Sequence, residues 1–496
     1  MSRVDRPQHR KAPIWYCVVI GLFSLCMAPA IAEPIAWTGL EDPHIRAAQF
    51  DALMGDPFAG LTQLIADQRQ GRVTHRPGQA QLVLGGMYLA YGSYDKAAEI
   101  FNTLGRSSQP ASIRDLAWYY LAHVQYLHGR GEEALESLKK ISGELPMEQQ
   151  QGRLLLSATL LMDRHQYEEA IGYLRQLGKK SLVQQLSEKS VWATYGRFNL
   201  GVALYQDGKE KEGRTLLEEL GSQTANDDES LALRDKANLT LGFNFLKRGK
   251  PDEAQKYFVK TRLQGPLSNR ALLGLGRVYS AQDKHKKSLA PWLKLIKRDP
   301  SDPAVQDALL AVPFAFGKLN AYKQALEYYK QALETYKQEL ERVKKATATV
   351  NSGALMESLA RTVGEQELDE RGFITKLPDT PGGHYLWQLF ATNQFQESLK
   401  NFARMRMSLG RLEQWSSEIS SDTEMTDKQK KAMRQRVAGL ESRLVDLVAA
   451  LKKRLKKMAL KELDKRRERL VSYAGEARFS MAQIYDYAAK RWGEGG

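Results

Sequence analysis

The segment that decides the fold is 118-WYYLAHVQYLHGRGEEALESLKKISGELP-146. Two small residues in it, Ala122 and Ala134, stand twelve positions apart, and the large apolar Leu138 follows four positions after the second. Gly129 lies between them, where a left-handed backbone ends a helix at little cost, and Pro146 stops the helix that follows. The segment therefore predicts two antiparallel helices that cross closely at the small residues, with the large residue filling the space beside the crossing.

The same spacing recurs along the chain. Five further pairs of small residues stand twelve positions apart, each with a large apolar residue four positions later: Gly85/Ala97 with Phe101, Ala158/Ala170 with Leu174, Gly201/Gly213 with Leu217, Gly242/Ala254 with Phe258 and Gly276/Ser288 with Trp292. Neither helix of such a pair can bury its apolar face alone, whereas stacked pairs bury it continuously. The pattern predicts an all-α solenoid of helical hairpins.

These units resemble tetratricopeptide repeats, which have a period of about 34 residues. The best match has the residues of the family pattern at Trp118, Leu121, Ala122, Gly129, Ala134 and Pro146. Two units depart from the pattern, because His165 and Asp283 stand where glycine is expected. The resemblance covers residues 79–335 and implies a solenoid that binds partner proteins or peptides without catalysis.

Residues outside the six units divide into three further regions. Residues 1–32 predict an export signal, 33–78 an N-terminal helical cap and 336–496 a region of long helices. A seventh, distorted unit is expected at the end of the 79–335 solenoid, because Pro313 occupies the small position of its first helix.

The export signal rests on three adjoining features. Its parts are the basic residues Arg3, Arg6, Arg10 and Lys11, the apolar run Ile14–Met27 and the small-x-small site Ala30-Ile31-Ala32. Cleavage after Ala32 would give a periplasmic protein. A retained inner-membrane anchor is the alternative, although the apolar run is shorter than the roughly 20 residues that span a bilayer. Both cysteines, Cys17 and Cys26, lie in this segment, so no cysteine chemistry is expected after it.

The chain is basic, with a formal net charge of +15 that falls to +12 when the four positive charges and one negative charge of the export segment are removed. An exported basic protein meets anionic lipid, polysaccharide or acidic protein surfaces, so no nucleic-acid partner is expected. The stretch 452–469 holds ten basic and three acidic residues. It either forms the solvated face of a long helix or contacts an anionic membrane or polymer. The candidate contacts are Lys452, Lys453, Arg454, Lys456 and Lys457.

Two C-terminal stretches have apolar residues alternately three and four positions apart, which is the heptad pattern of packed long helices. The first runs through Tyr322, Leu326, Tyr329, Leu333, Tyr336, Leu340 and Val343, and the second through Val437, Leu440, Leu444, Leu447 and Leu451. Prolines and glycines near 372–383 predict a break, followed by a helix over Tyr385–Ile419. We expect long antiparallel, coiled-coil-like helices within one chain. The alternative is a coiled coil between chains, which would make an oligomer.

The sequence contains no recognisable catalytic or cofactor motif. The seven histidines beyond residue 32 include no HExxH pair, and there is no P-loop, Rossmann glycine fingerprint or GxSxG elbow. The paired carboxylates Glu132-Glu133 and Glu168-Glu169 recur where second helices begin, a position that suits the helix dipole. We therefore expect no enzyme activity, no metal and no cofactor.

The resemblance implies that first helices line the concave side of the solenoid, where a ligand binds. First-helix residues outside the crossings are unusually aromatic, which suits an extended peptide or a sugar chain; packing between adjacent units would account for them equally well. They are Tyr119, His123, Tyr126, Tyr195, Phe198, Asn199, Tyr205 and Phe243. The sequence favours a non-catalytic protein–protein interaction scaffold in a bacterial cell-envelope assembly, such as a secretion, motility, pilus or energy-transducing complex. The alternative is a polymer-handling module for exopolysaccharide or peptidoglycan.

Overall fold

Helices make up the regular structure of the chain in the computed structural model, which describes residues 42–54, 57–74, 76–91, 93–177, 191–224, 227–364, 382–390, 392–421 and 425–493. These ranges contain no β-strand. Among the helices in the same ranges, none combines the length and the apolar character needed to cross a membrane. The all-α class expected from the repeat pattern is confirmed, whereas the predicted export signal, residues 1–32, lies outside the described residues.

The chain divides into two compact units. Of the described residues, one unit comprises those within 154–335 and 475–493, and the other comprises those within 42–153 and 336–474. In chain order the helices up to residue 352 are α1 (Pro43–Leu53), α2 (Pro57–Arg69), α3 (Pro77–Tyr91), α4 (Tyr94–Gly105), α5 (Ala111–Leu127), α6 (Gly131–Lys139), α7 (Met147–Asp163), α8 (Tyr167–Leu177), α9 (Val191–Gln206), α10 (Glu210–Ser222), α11 (Asp228–Lys247), α12 (Pro251–Phe258), α13 (Ser268–Ala281), α14 (His285–Leu295), α15 (Pro303–Lys318) and α16 (Tyr322–Ser352).

The six pairs of small residues lie on six pairs of consecutive helices, from α3/α4 to α13/α14, and all twelve residues are buried. A β-carbon added at Gly85 would stand 2.6 Å from the Phe101 ring, and one at Gly242 would stand 2.9 Å from the Phe258 ring. The large residue of each unit is at most 2% exposed: Phe101, Leu138, Leu174, Leu217, Phe258 and Trp292. The small residues therefore permit the close approach, and the large residue fills the space beside it.

The turns between paired helices use the left-handed backbone whether or not glycine is present. Gly129 has a φ of 75° and Gly208 a φ of 81°. His165 and Asp283, which replace glycine in two units, both have a φ of 60°. The geometry of the turn is therefore kept where the sequence departs from the family pattern.

The connection between α10 and α11 is short. Helix α11 begins at Asp228 because the side chain of Asp227 accepts a hydrogen bond from the backbone N–H of Ser230 at 2.7 Å. This cap satisfies one of the free donors of the first turn. Only a few residues therefore separate the two helices.

The seventh hairpin is formed by α15 and α16. Helix α15 runs through the buried Pro313 as one helix, so the expected distortion does not interrupt it. Phe316 stacks on Tyr328 with ring centroids 5.2 Å apart, and Ala325 is fully buried. The second-helix positions of this unit thus pack as they do in the other six.

Beyond residue 352 the described elements are α17 (Ala354–Gly364), a short 3-10 turn (Gly383–Leu386), α18 (Trp387–Phe390), α19 (Asn393–Ser421) and α20 (Asp427–Gly493). The helix expected over Tyr385–Ile419 is wrong at its start. Thr392 lies between α18 and α19, and its side-chain hydroxyl accepts a hydrogen bond from the backbone N–H of Phe395 at 3.4 Å, which caps the first turn of α19. The expected break near 372–383 lies mostly outside the described residues.

The buried seam of α16 contains Tyr329, Tyr336 and Val343 as predicted, but the residues just before the predicted leucines take the leucines' places. Its buried positions, spaced alternately four and three apart, are Ala325, Tyr329, Ala332, Tyr336, Glu339, Val343, Ala346 and Val350. Leu326, Leu333 and Leu340 are only half-buried. Alanine occupies three of these buried positions. Glu339 is tolerated there because Tyr385 donates a hydrogen bond to it at 2.6 Å.

Candidate functional site

The aromatic residues predicted on α5 divide between the interior and the surface. Tyr119 is buried, and its ring meets those of Tyr120 and His123 edge-on at centroid distances of 5.1 and 4.6 Å. Burial raises the pKa of Tyr119 well above its ordinary value. Tyr126 is half-buried. Tyr126 is therefore better placed than Tyr119 to touch a partner.

His123 is a neutral histidine held against the core. Its Nε2 is buried and has no hydrogen-bond partner among the described residues. Burial lowers the pKa of His123 from 6.5 to about 4, because desolvation disfavours the charged ring. The ring is therefore uncharged at neutral pH and offers a buried group that acid would disturb.

The predicted residues on α9 and α11 are mostly interior. Phe198, Asn199, Tyr205 and Phe243 are all at most 6% exposed. The Phe243 ring packs edge-on against Phe258, the large residue of its unit, with centroids 4.8 Å apart. Tyr195 is half-buried, and its hydroxyl donates to the Glu229 carboxylate. Most of this group thus packs within the repeats, and Tyr195 is the member that reaches the surface.

The predicted basic contacts on α20 also differ in their surroundings. Lys452 pairs with Glu357 at 3.2 Å, and Lys456 donates to the carbonyl of Asn351 at 3.0 Å. Lys453 and Lys457 are exposed, and Arg454 is half-buried. Two of the five cations therefore stabilise the fold, while the exposed lysines remain available to an anionic surface.

Helices α13, α14, α15, α16 and α20 line a cavity of about 250 Å³ that the sequence patterns did not indicate. We call it the Glu476 cavity. Its walls are the apolar Leu273, Trp292, Leu310, Ala311 and Phe314 and the polar Arg277, Ser280, Asp307, Tyr329, Glu476 and Ser480. All of these residues belong to the compact unit that contains Leu154–Thr335. The polar residues are far apart in the sequence, so no local motif could have revealed them.

Charges in the Glu476 cavity are only partly balanced. The Arg277 guanidinium donates to the Asp307 carboxylate at 3.0 Å, and both side chains are largely buried. The carboxylate of Glu476 has no hydrogen bond or ion pair among the described residues. Burial, together with the negative charge of Asp307, raises the pKa of Glu476. The cavity therefore presents a carboxylate that a cation would stabilise.

A second cavity, of about 330 Å³, lies in the other compact unit. It is lined by residues of α4, α5, α19 and α20, among them Tyr94, His128, Glu397 and Asn401. Glu397 accepts a short hydrogen bond from Tyr94 and pairs with Lys400 at 3.2 Å. Its buried carboxylate is thus satisfied within the fold, unlike that of Glu476. No cluster of three or more potential metal ligands occurs in the described parts of the chain.

Comparison with known proteins gives one family match. A family model described as tetratricopeptide repeat matches residues 239–303, which span the end of α11 through α14. No curated protein matches the chain.

Several solved structures are similar to the chain at low identity. A tetratricopeptide repeat protein from Parabacteroides merdae is 17% identical, with 54% of this chain and 96% of that chain covered and a TM-score of 0.33. The C-terminal part of a TPR repeat-containing protein from Cytophaga hutchinsonii is 14% identical, with 53% and 99% covered and a TM-score of 0.39. Pseudomonas aeruginosa pilF is 20% identical, with 46% and 95% covered and a TM-score of 0.32. None of these likenesses is close enough to carry an argument about function.

The paired helices, their small-residue crossings and their left-handed turns define a helical-hairpin repeat protein. The match over residues 239–303 identifies tetratricopeptide repeats in that part of the series. Repeats of this kind are typical of scaffolds for protein–protein interaction.

Proposed function

We propose that this protein is a non-catalytic scaffold in a bacterial cell-envelope assembly, such as a secretion, motility, pilus or energy-transducing complex. The observation that carries the proposal is the series of six helical hairpins, part of which matches the tetratricopeptide-repeat model. Stacked hairpins present extended surfaces that suit protein or peptide partners. The partners we propose are envelope proteins or segments of them.

The periplasmic location is supported by the N-terminal sequence. A basic start, an apolar run and the site Ala30-Ile31-Ala32 together are typical of a cleaved export signal. Sequencing the N-terminus of the protein from the periplasmic fraction should therefore give Glu33 first. Recovery of the chain in the membrane fraction with Met1 retained would instead establish an inner-membrane anchor.

Site-specific cross-linking in cells tests the scaffold. Tyr126 on α5 and Tyr195 on α9 are half-buried, so each is replaced in turn by the photo-cross-linker p-benzoylphenylalanine. We expect irradiation to give a discrete product that contains an envelope protein. Trp415, an aromatic residue on α19 that is 58% exposed, is the matched control. Products only from position 415, or from none of the three positions, would contradict a partner site on the repeats.

A polymer-handling module is the second candidate, and the exposed lysines of α20 favour it. Retention on immobilised exopolysaccharide or peptidoglycan fragments, and sedimentation with anionic liposomes, should weaken at high salt if these cations make the contact. The double variant Lys453→Gln, Lys457→Gln should reduce binding. The double variant Lys428→Gln, Lys431→Gln removes the same charge from exposed positions of the same helix and should not. Absence of binding even at low salt would remove this candidate.

A further inference from the structure

We propose that the Glu476 cavity binds the side chain of a lysine presented by a partner protein. The proposal rests on the scaffold function and names the chemistry of one contact that the scaffold makes. Its support comes from the charge, the shape and the lining of the cavity.

The charged groups of the cavity favour the binding of a cation. Arg277 is already committed to Asp307 at 3.0 Å, and the pair is largely shielded from solvent. Glu476 is half-buried and has no counter-ion among the described residues. The cavity thus contains two carboxylates and one guanidinium. A partly buried charge without a partner carries a free-energy cost. A cation that pairs with Glu476 would remove this cost, which favours its binding.

The apolar walls suit the stem of a lysine. Leu273, Leu310 and Ala311 line the cavity, and the indole of Trp292 is fixed by its hydrogen bond to the carbonyl of Leu273 at 3.2 Å. A lysine buries its four methylene groups along such surfaces while its ammonium reaches a polar end. The hydroxyl oxygens of Ser280 and Ser480 provide further acceptors for the ammonium.

The size of the cavity suits a single side chain. Its volume of about 250 Å³ is below the roughly 300–1,000 Å³ of sites for drug-sized ligands. An arginine would present five donors in a planar fork that is best matched by a bidentate carboxylate. Because Asp307 is held by Arg277, only Glu476 is left, and a single carboxylate is better matched to the compact ammonium of lysine.

The rim explains how a lysine could enter from a partner surface. Phe314 is 45% exposed at the edge of the cavity, with the Lys318 ammonium 5.5 Å from its ring centroid and His285 edge-on at 6.1 Å. An exposed aromatic ring beside a cavity can cover the methylene stem of an incoming side chain. The other charged or titratable groups that line the cavity are Arg277, Asp307 and Tyr329.

A titration of the full chain tests the proposal. The protein is labelled with ¹³C at leucine and alanine methyl groups, and the probe is Nα-acetyl-lysine N-methylamide. We expect saturable shifts of the Leu273, Leu310 and Ala311 signals. The norleucine analogue, which has no ammonium, should bind at least tenfold more weakly. Equal binding of the two probes, or shifts elsewhere in the chain, would refute the assignment.

Variants at Glu476 test whether its carboxylate binds the probe, apart from any effect on folding. Glu476→Gln should weaken binding of the lysine probe at least tenfold, while Glu476→Asp, which keeps the charge, should retain part of it. Glu327→Gln removes an exposed carboxylate from α16 and should leave the affinity within twofold. Thermal unfolding midpoints confirm that each variant is folded. Unchanged affinity in Glu476→Gln would overturn the proposal.

Two further experiments identify the molecule that carries the ammonium. They also show whether the lysine site can be refuted while the scaffold function is retained. If 1,5-diaminopentane binds tenfold more tightly than the lysine probe, the ligand is a free diamine and the assignment to a partner protein fails. Glu476→Gln should also reduce the yield of the cross-linked product from position 195. If that product forms undiminished and the lysine probe does not bind, the inference fails while the scaffold stands. If the probe binds but no cross-linked product forms, the proposed scaffold function is refuted. The assignment of the ligand to a partner's lysine is then refuted as well.

Discussion

The hairpin of α13 and α14 and the first part of α20 both carry a regular apolar pattern, but the hairpin buries it more completely. In the hairpin, Trp292 is 2% exposed and Leu295 is fully buried. In α20, Leu440 is 48% exposed and Leu447 is 49% exposed, although both hold heptad positions. The helix that covers a repeat position follows it directly in the sequence, whereas a heptad seam does not specify what covers it. Periodicity therefore predicts burial best when the partner is local.

The largest expected effect is the loss of a residue that fills a crossing. Trp292→Ala should lower the free energy of unfolding by about 3–5 kcal/mol, because it leaves a cavity beside Gly276. Trp415→Ala removes the same side chain from an exposed position of α19 and should change stability by at most about 0.5 kcal/mol. Urea unfolding followed by circular dichroism measures both. Similar losses of stability in the two variants would show that side chains in the hairpin and in the long helices contribute equally to stability.

The buried face of a hairpin should also be sensitive to acid. His123 has its pKa lowered to about 4 in the fold, so protonation favours the unfolded chain. The stabilisation from the neutral ring is complete above about pH 6.5 and is lost as the pH falls towards 4. The difference from 6.5 corresponds to about 3 kcal/mol.

His123→Gln should remove this part of the pH dependence, whereas His384→Gln, at an exposed position, should not. The measurement is the urea midpoint of wild type and both variants between pH 7 and pH 4.5. A wild-type slope that persists in His123→Gln would show that other groups cause it.

Replacing a glycine by alanine should change stability with opposite signs in the hairpin of α13 and α14 and in the long helix α19. A β-carbon at Gly276 would overlap the indole of Trp292, so Gly276→Ala should destabilise by about 1–3 kcal/mol. Nothing lies within 4 Å of a β-carbon at Gly410 in α19. Gly410→Ala should therefore stabilise by about 0.5–1 kcal/mol through helix propensity. Thermal unfolding of both variants gives the signs, and a stabilised Gly276→Ala would mean that the crossing is looser than described.

The smallest effect is expected at the exposed seam. The double variant Leu440→Gln, Leu447→Gln should change stability by no more than about 1 kcal/mol, because both positions are half-exposed. Light scattering should give the mass of one chain for wild type and variant alike. A two-chain mass that falls to one chain in the variant would show that a second copy covers the seam and that the C-terminal helices make an oligomer.

The parts of the fold that could be predicted from sequence are those with local partners. The crossing of Gly242 with Ala254 and the filling residue Phe258 follow from fixed spacings within one hairpin. The seam of α16 was predicted correctly at Tyr329, Tyr336 and Val343, but Leu326 and Leu333 were assigned to it in place of the alanines that precede them. Hydrophobicity alone does not show which of two adjacent residues is buried when one of them is alanine.

The candidate site was predictable to a smaller extent. Aromatic first-helix residues could be found, but sequence does not distinguish Tyr126 at the surface from Tyr119 in the interior. The Glu476 cavity could not be found at all, since Arg277, Asp307 and Glu476 come together only through the fold. Whether a charged side chain in a cavity has a counter-ion depends on tertiary packing, which the sequence pattern does not show.

The non-glycine turns suggest how individual repeats could be tuned. A left-handed backbone costs an ordinary residue roughly 1 kcal/mol or more, and His165, Asp283 and Asn320 all adopt it. Glycine at each of these positions would relieve that strain without altering any residue on a helix. In a repeat array, stability is nearly a sum over units and their neighbours, so each replacement would act on its own hairpin. The opening of one repeat could then be slowed or hastened independently of the rest.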